Sequence, residues 1–245
     1  MIAATGAVLA GVSMLGPSAV AKTYKDPKQG KKKILAIGAH PDDNESCCAG
    51  ALMKFADAGH EVVSVYMTRG ERGIKGVGLE EAAEIRTKEC LAACKLMGVR
   101  PVFLTQVDGA AELVPERYEE MINLIKTEKP DIVFTHWPID AHRDHVICSA
   151  LVLDAWKHCK ESFDIYYYEP MTGNQAMTFR PTDYVDISDI IDRKKEVCYC
   201  HASQNPDRWY GQRRVVNQKF RGIEIGTENA EGFIRFIQSP TKTII

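Results

Sequence analysis

The side chains of this chain best suited to chemistry stand close together in Ala39-His40-Pro41-Asp42-Asp43-Asn44-Glu45, which holds one imidazole and three carboxylates. They directly follow Lys33-Ile34-Leu35-Ala36-Ile37-Gly38, an apolar run with the length and composition of a strand buried on both faces. An open α/β sheet keeps its ligands in the turns at the carboxyl ends of such strands. Pro41 fixes its own φ and biases His40 away from helical conformation, so the turn is stiff and His40 and Asp43 can be aimed at one point. A second cluster, His142-Arg143-Asp144-His145, follows another strand-like run, Asp131 to Thr135. It opens a segment whose apolar residues (Val146, Leu151, Val152, Ala155, Trp156) suit a helix buried on one side. Residues three apart share a helix face, so His142 and His145 point the same way.

Two imidazoles and a carboxylate, His40, Asp43 and His145, make a three-ligand set that suits zinc and leaves a coordination position for water. Other divalent ions accept the same ligands. Asp42, beside a ligand but pointing elsewhere, fits the general base that takes a proton from that water and later returns it to a leaving amine. His142 is placed to hold negative charge developing on a carbonyl oxygen, with Asp144 keeping its imidazole protonated and oriented. The parts add up to metal-assisted amide hydrolysis. The structural alternative makes Asp42 a helix cap and Asp144 a first-turn acid, and His60, His136, His158 and His201 are read as structural.

Positioning these groups requires alternating strands and helices. After the first strand come a helix over Cys47–Ala58 ended by Gly59, a strand at Glu61–Met67, and an amphipathic helix over Leu79–Met97 closed by Gly98. A third strand is expected at Pro101–Leu104, with Asp108 in the loop after it. A helix over Pro115–Lys129 is stopped by Pro130, and the fourth strand follows. Phe163–Tyr168 and Tyr184–Ile187 read as extended, Asp189–His201 as a helix, Arg208–Ile223 as one more, and Phe233–Ile237 as an edge strand. The expected architecture is a Rossmann-like, doubly wound, mostly parallel sheet with helices on both faces, in a single domain. In its commonest strand order the first and fourth strands are neighbours at the switch point, which brings the two clusters together. The glycine-rich loop Arg69–Gly78 does not match a dinucleotide fingerprint; it reads either as a substrate loop reaching the ligand through Arg69, Glu71 or Arg72, or as a flexible connection. Arg86 either pairs with Glu89 on the helix surface or turns to the cleft.

A net charge of −2, with both signs mixed along the 245 residues, gives no electrostatic footprint for nucleic acid. Residues 1–21 are uncharged and end in the small-x-small pattern Ala19-Val20-Ala21, which reads as a signal peptide and implies export to the periplasm or another extracytoplasmic space. The leader lacks a basic n-region; were it not functional, the protein would be cytoplasmic. A polar linker over 22–32, the domain over 33–239 and a tail over 240–245 complete the organisation, with membrane contact only through an uncleaved leader. The eight cysteines form no C-x-x-C pair and read mostly as buried small hydrophobes. Oligomeric state is not legible.

The motifs AHPDDNE and THWPIDAHRDH, with TRGERG, the Arg86, Glu89 and Gly98 helix and the His201-Ala202-Ser203-Gln204 segment, resemble the PIG-L/LmbE-like family of zinc-dependent N-acetylglucosaminyl de-N-acetylases. The resemblance covers nearly all of residues 33 to 237. It implies Zn2+ on His40, Asp43 and His145, Asp42 as base, His142 supported by Asp144 as oxyanion stabiliser, and Arg69 and Asp108 facing the sugar. It also implies an N-acetylated amino sugar, free or in a glycoconjugate, as substrate. The alternatives are an amidohydrolase acting on a non-sugar amide and a sugar-binding relative without turnover. Asp42 argues against the latter, because a binder needs ligands but no base.

Overall fold

The first apolar run forms strand β1 (Lys33–Gly38), and its alternation is visible in what each side chain meets. Ile34 and Ala36 pack into one hydrophobic core, Leu35 and Ile37 into another on the opposite face. A strand covered on both sides must be apolar throughout, which is why the run reads as continuous. The computed structural model describes residues 30–160, 162–170 and 175–236; the expected signal peptide, most of the expected linker and the expected tail lie outside them.

Helix α1 (Asp43–Asp57), strand β2 (Glu61–Tyr66), helix α2 (Leu79–Met97), strand β3 (Arg100–Phe103), helix α3 (Pro115–Glu128), strand β4 (Ile132–His136), helix α4 (Arg143–His158) and strand β5 (Asp164–Tyr168) alternate as expected. The closing elements are strand β6 (Asp183–Asp186), helix α5 (Ile191–Tyr199), helix α6 (Val215–Ile225) and strand β7 (Ala230–Arg235). The sheet order is β3-β2-β1-β4-β5-β7-β6, parallel from β3 to β5 and antiparallel at β7 and β6. Helices α1, α2 and α5 contribute to one core, α3 and α4 to the other. The neighbouring of β1 and β4 carries the functional argument, since their carboxyl-end loops hold the two clusters.

Three expectations are corrected. Helix α1 starts at Asp43 rather than Cys47 because its polar first turn is paid for by internal bonds: Asn44 donates to Ala36 O, Ser64 Oγ and Val65 O, and Tyr66 OH donates to Glu45. The final helix is two pieces, a π-helical stretch Asp207–Arg214 running into α6, and α5 is preceded by a 3-10 turn at Ser188–Ile190. Strand β7 is interior, inserted between β5 and β6, because the apolar Phe233 joins a core that an edge position would not cover. All eight cysteines are free thiols, six of them buried: Cys47, Cys48, Cys90, Cys94, Cys148 and Cys198. Among the described residues, no helix is long and apolar enough to cross a membrane.

Candidate functional site

Asp42 caps α1 with φ 107°, a left-handed conformation that costs an aspartate roughly 1–3 kcal/mol. The strain is held in place from both sides. The Asp42 N–H donates to Glu45 Oε2 at 3.2 Å, and the Arg86 guanidinium of α2 donates to Asp42 Oδ2 at 2.9 Å and to Pro41 O. Arg86 is buried, and the glycines of the Arg69–Gly78 loop explain how it fits: a Cβ at Gly70 would stand 2.5 Å from its Nη1, and one at Gly73 would be closer still. Burial pushes the Asp42 carboxyl pKa up, and the charge of Arg86 opposes that rise.

Asp43, the first residue of α1, lies among the imidazoles. Its Oδ2 is 3.4 Å from His40 Nδ1 and 3.2 Å from His136 Nε2, and its Oδ1 is 3.5 Å from His145 Nε2. Burial works to raise its pKa, yet His145, His136 and His40 hold the carboxyl well below the usual range. The rings of His136, His145 and His142 form a column, with centroids 4.0 and 4.4 Å apart in successive near-parallel pairs. Three stacked imidazolium ions would repel one another; burial and the charge of His145 pull His136 down to about 4 and lower His142 as well. For His40 burial opposes protonation, but Asp108, Asp144 and Asp43 outweigh it and raise its pKa well above the ordinary imidazole value.

Two hydrogen bonds settle which nitrogens are free. His142 caps α4 and its Nδ1 accepts the Asp144 N–H at 3.3 Å, so a neutral ring carries its proton on Nε2. His145 Nδ1 lies 3.1 Å from Asp140 Oδ2; donation to that carboxylate leaves the Nε2 lone pair on the side of Asp43. Asp140 Oδ1 also accepts the His142 backbone N–H at 2.7 Å, so one carboxylate holds the His145 ring and the backbone that carries His142.

The predicted residues are therefore largely together, with exceptions. His40, Asp42, Asp43, Asp108, His142 and His145 all line one cleft of about 380 Å³ at the carboxyl ends of the parallel strands, with Ser46, Arg72, Gly73, Arg86, Pro170, Gln175, Gln204 and Trp209. Arg69 does not join them, because its guanidinium is drawn to Glu80 at 3.0 Å outside the cleft. The Asp144 carboxylate does not meet the His142 ring, which is held by the Asp144 backbone N–H alone. Its Oδ2 lies 3.1 Å from His40 Nε2 and accepts the Gly109 N–H, and Asp140 supports the histidine pair instead. His136, read as structural, stands against Asp43 with its Nε2 accepting the Ala39 N–H at 3.0 Å, and so ties the β1 loop to β4. Arg86 takes the cleft position and leaves Glu89 to accept from Ser203.

Donor atoms within 4.8 Å of one another are offered by His40, His142 and His145, by Asp43, His136 and His145, and by His40, Asp108 and Asp144. Imidazole nitrogens beside a carboxylate, with Asp144 Oδ1 buried and unpartnered nearby, are a nitrogen-and-oxygen donor set that fits a divalent cation such as zinc.

Residues 35–156, from β1 to α4 and so including both loops of the site, match the family model described as PIG-L: GlcNAc-PI de-N-acetylase. The diacetylchitobiose deacetylase of Thermococcus kodakarensis is 28% identical over 241 residues, covering 86% of this chain and 85% of that protein. The uncharacterized deacetylase YaiS of Escherichia coli is 30% identical over 166 residues, 65% of this chain and 84% of its own length. Among solved structures, the N,N'-diacetylchitobiose deacetylase from Pyrococcus horikoshii, complexed with its inhibitor MPG, superposes with a TM-score of 0.76 at 26% identity over 86% of each chain.

Proposed function

This chain belongs to the PIG-L family, and from that premise we propose that it is a metal-dependent hydrolase that removes the acetyl group from an N-acetylated amino sugar. The observation that carries the reading is the carboxylate of Asp43 between His40 and His145, with Asp42 beside it on the same cleft. The ion would be held by His40, Asp43 and His145, and zinc is the favoured occupant. When bound, such an ion polarises an amide carbonyl and makes a water acidic enough, with a pKa near ~7, to attack it.

The remaining work falls to side chains of this protein. Asp42 accepts the proton of the attacking water and returns it to the departing nitrogen, so the products are acetate and a free amine. Arg86 opposes the rise that burial imposes on that carboxyl and fixes it at 2.9 Å. His142, neutral with its proton on Nε2, donates to the carbonyl oxygen as negative charge grows there, and its place at the start of α4 adds a weak favourable field. Asp140 holds the His145 ring so that Nε2 faces the ligand position. Asp108 and Arg72 line the β2 and β3 side of the cleft, which supports a role for them in binding sugar hydroxyls.

The test is amine release from free, lipid-linked and polymeric N-acetylglucosamine substrates by zinc-loaded protein. Release from at least one of them, abolished by Asp42→Ala, is expected. Bound zinc without release from any acetylated sugar would move the reading to another amide or to a binding protein.

A further inference from the structure

Of the three tryptophans, two serve as ordinary packing residues: Trp137 Nε1 donates to Met177 O and Trp156 Nε1 to Phe163 O, each at 2.9 Å. Trp209 differs. It lines the cleft, where it is the one Trp, Tyr or Phe among the described lining residues, and its Nε1 is buried without an acceptor. An unpaired buried donor costs about 1–3 kcal/mol, so folding alone does not account for it.

Its backbone is equally unusual. Trp209 sits in the π-helical stretch Asp207–Arg214, a rare geometry that recurs at functional sites. Bonds on either side of the ring hold that stretch. Tyr199 OH donates to Asp207 Oδ1 at 2.6 Å, Arg214 donates to Glu169 O at 2.8 Å and Cys47 O at 3.1 Å, and Tyr210 is buried next door. The indole is thus presented on a stiff frame while remaining only half-buried itself.

Its surroundings decide what it suits. The cleft carries charges of both signs, Arg72 and Arg86 against Asp42, Asp43 and Asp108, so its lining selects no singly charged guest. Gln175 and Gln204 are neutral and polar. Gln204 commits its Nε2 to Gly73 O and Ser203 Oγ, which leaves its carbonyl oxygen to accept. An apolar ring face flanked by neutral hydrogen-bonding groups matches a pyranose, which has a face of C–H bonds and an edge of hydroxyls.

We propose that Trp209 is a specificity-determining residue whose indole stacks on a pyranose ring of a saccharide substrate, with Gln175 and Gln204 meeting the hydroxyls at its edge. This rests on reading the cleft as a deacetylase site and assigns the residue that recognises the sugar ring.

The test compares the full-length metal-loaded protein with Trp209→Phe and Trp209→Ala. Tryptophan fluorescence is followed while N-acetylglucosamine or N,N'-diacetylchitobiose is added, and kcat and KM for amine release are measured on the same sugars. Sugar should change the wild-type emission, and that change should vanish in Trp209→Phe. In Trp209→Ala the loss should fall on KM, by about tenfold, with Trp209→Phe in between because it keeps a ring. A sugar-dependent emission change that persists in Trp209→Phe, or an unaltered KM in a natively folded Trp209→Ala, overturns the proposal while leaving the deacetylase reading intact. If no acetylated sugar is hydrolysed by the wild type, that reading fails, and the fluorescence titration still decides whether sugar meets Trp209.

Discussion

Replacing Gly73 by alanine should damage catalysis without touching any group that reacts. The added methyl would overlap Arg86 Nη1 and stand 3.0 Å from its Cδ and Cζ. Arg86 is 3% exposed, so the guanidinium has little room to retreat and must leave Asp42 Oδ2, now 2.9 Å away. A hydrogen bond between charged groups contributes about 1.5–3 kcal/mol, and about 1.4 kcal/mol is tenfold in rate. The expected fall in kcat/KM is therefore about 10- to 100-fold, measured as amine release from an acetylated amino sugar. Because the effect is transmitted through Arg86, a double-mutant cycle isolates it. In an Arg86→Met background, Gly73→Ala should lower kcat/KM by no more than about twofold, since the bond it disturbs is already gone. Equal losses in both backgrounds would refute the transmission, and an unimpaired Gly73→Ala enzyme would refute the role given to Arg86.

Other perturbations separate base, ligand support and framework. Asp42→Ala should abolish turnover, by about 10²–10⁴-fold or more, with the metal retained in elemental analysis; a metal-free variant would mean that Asp42 is a ligand. Asp140→Ala frees the His145 ring and should weaken metal affinity about 10- to 100-fold in a chelator competition, whereas Asp144→Ala tests whether the carboxylate near His40 Nε2 matters as much. Lys194→Met strands the carboxylate of Glu231, both partners being fully buried 2.5 Å apart. Glu231 would keep the N–H groups of Gly50 and Ala51, so the lower end of the ~3–5 kcal/mol range applies, a fall in Tm of about 6–12 °C by thermal denaturation. An unchanged Tm would show the pair to be dispensable.

How much of this could be read from the chain depends on whether the cause is local. β1 and α2 were legible because a strand buried on both faces is apolar throughout and because Gly98, at φ 74°, takes the left-handed cap that glycine adopts without penalty. The meeting of the two clusters was also legible, since the alternation of strands and helices constrains the order in which strands pair. The start of α1 was not: Asn44 and Glu45 look like loop residues, and only partners on β1 and β2 make their burial tolerable. The choice among nearby groups was likewise hidden. Asp140 and Asp144 each stand two residues from His142, and Asp144 is the nearer to His145 in sequence, yet it is Asp140, paired with Ala176, whose carboxylate meets the His145 ring and the His142 backbone N–H. Arg69, Arg72 and Arg86 carry the same long side chain, and packing against Gly70 and Gly73 decides which one reaches Asp42. His136 ends a buried strand, where a histidine usually fills space; its contact with Asp43 depends on β1 and β4 being neighbours.

The central claim is that His40, Asp43 and His145 grip one cation beside Asp42. Elemental analysis of the purified, zinc-exposed and dialysed protein tests it most directly, run alongside Asp43→Ala and His145→Ala. One tightly held ion per chain, lost in both variants together with amine release, is the predicted result. A wild-type chain that deacetylates with no bound metal, or variants that keep a full complement of it, would contradict the account.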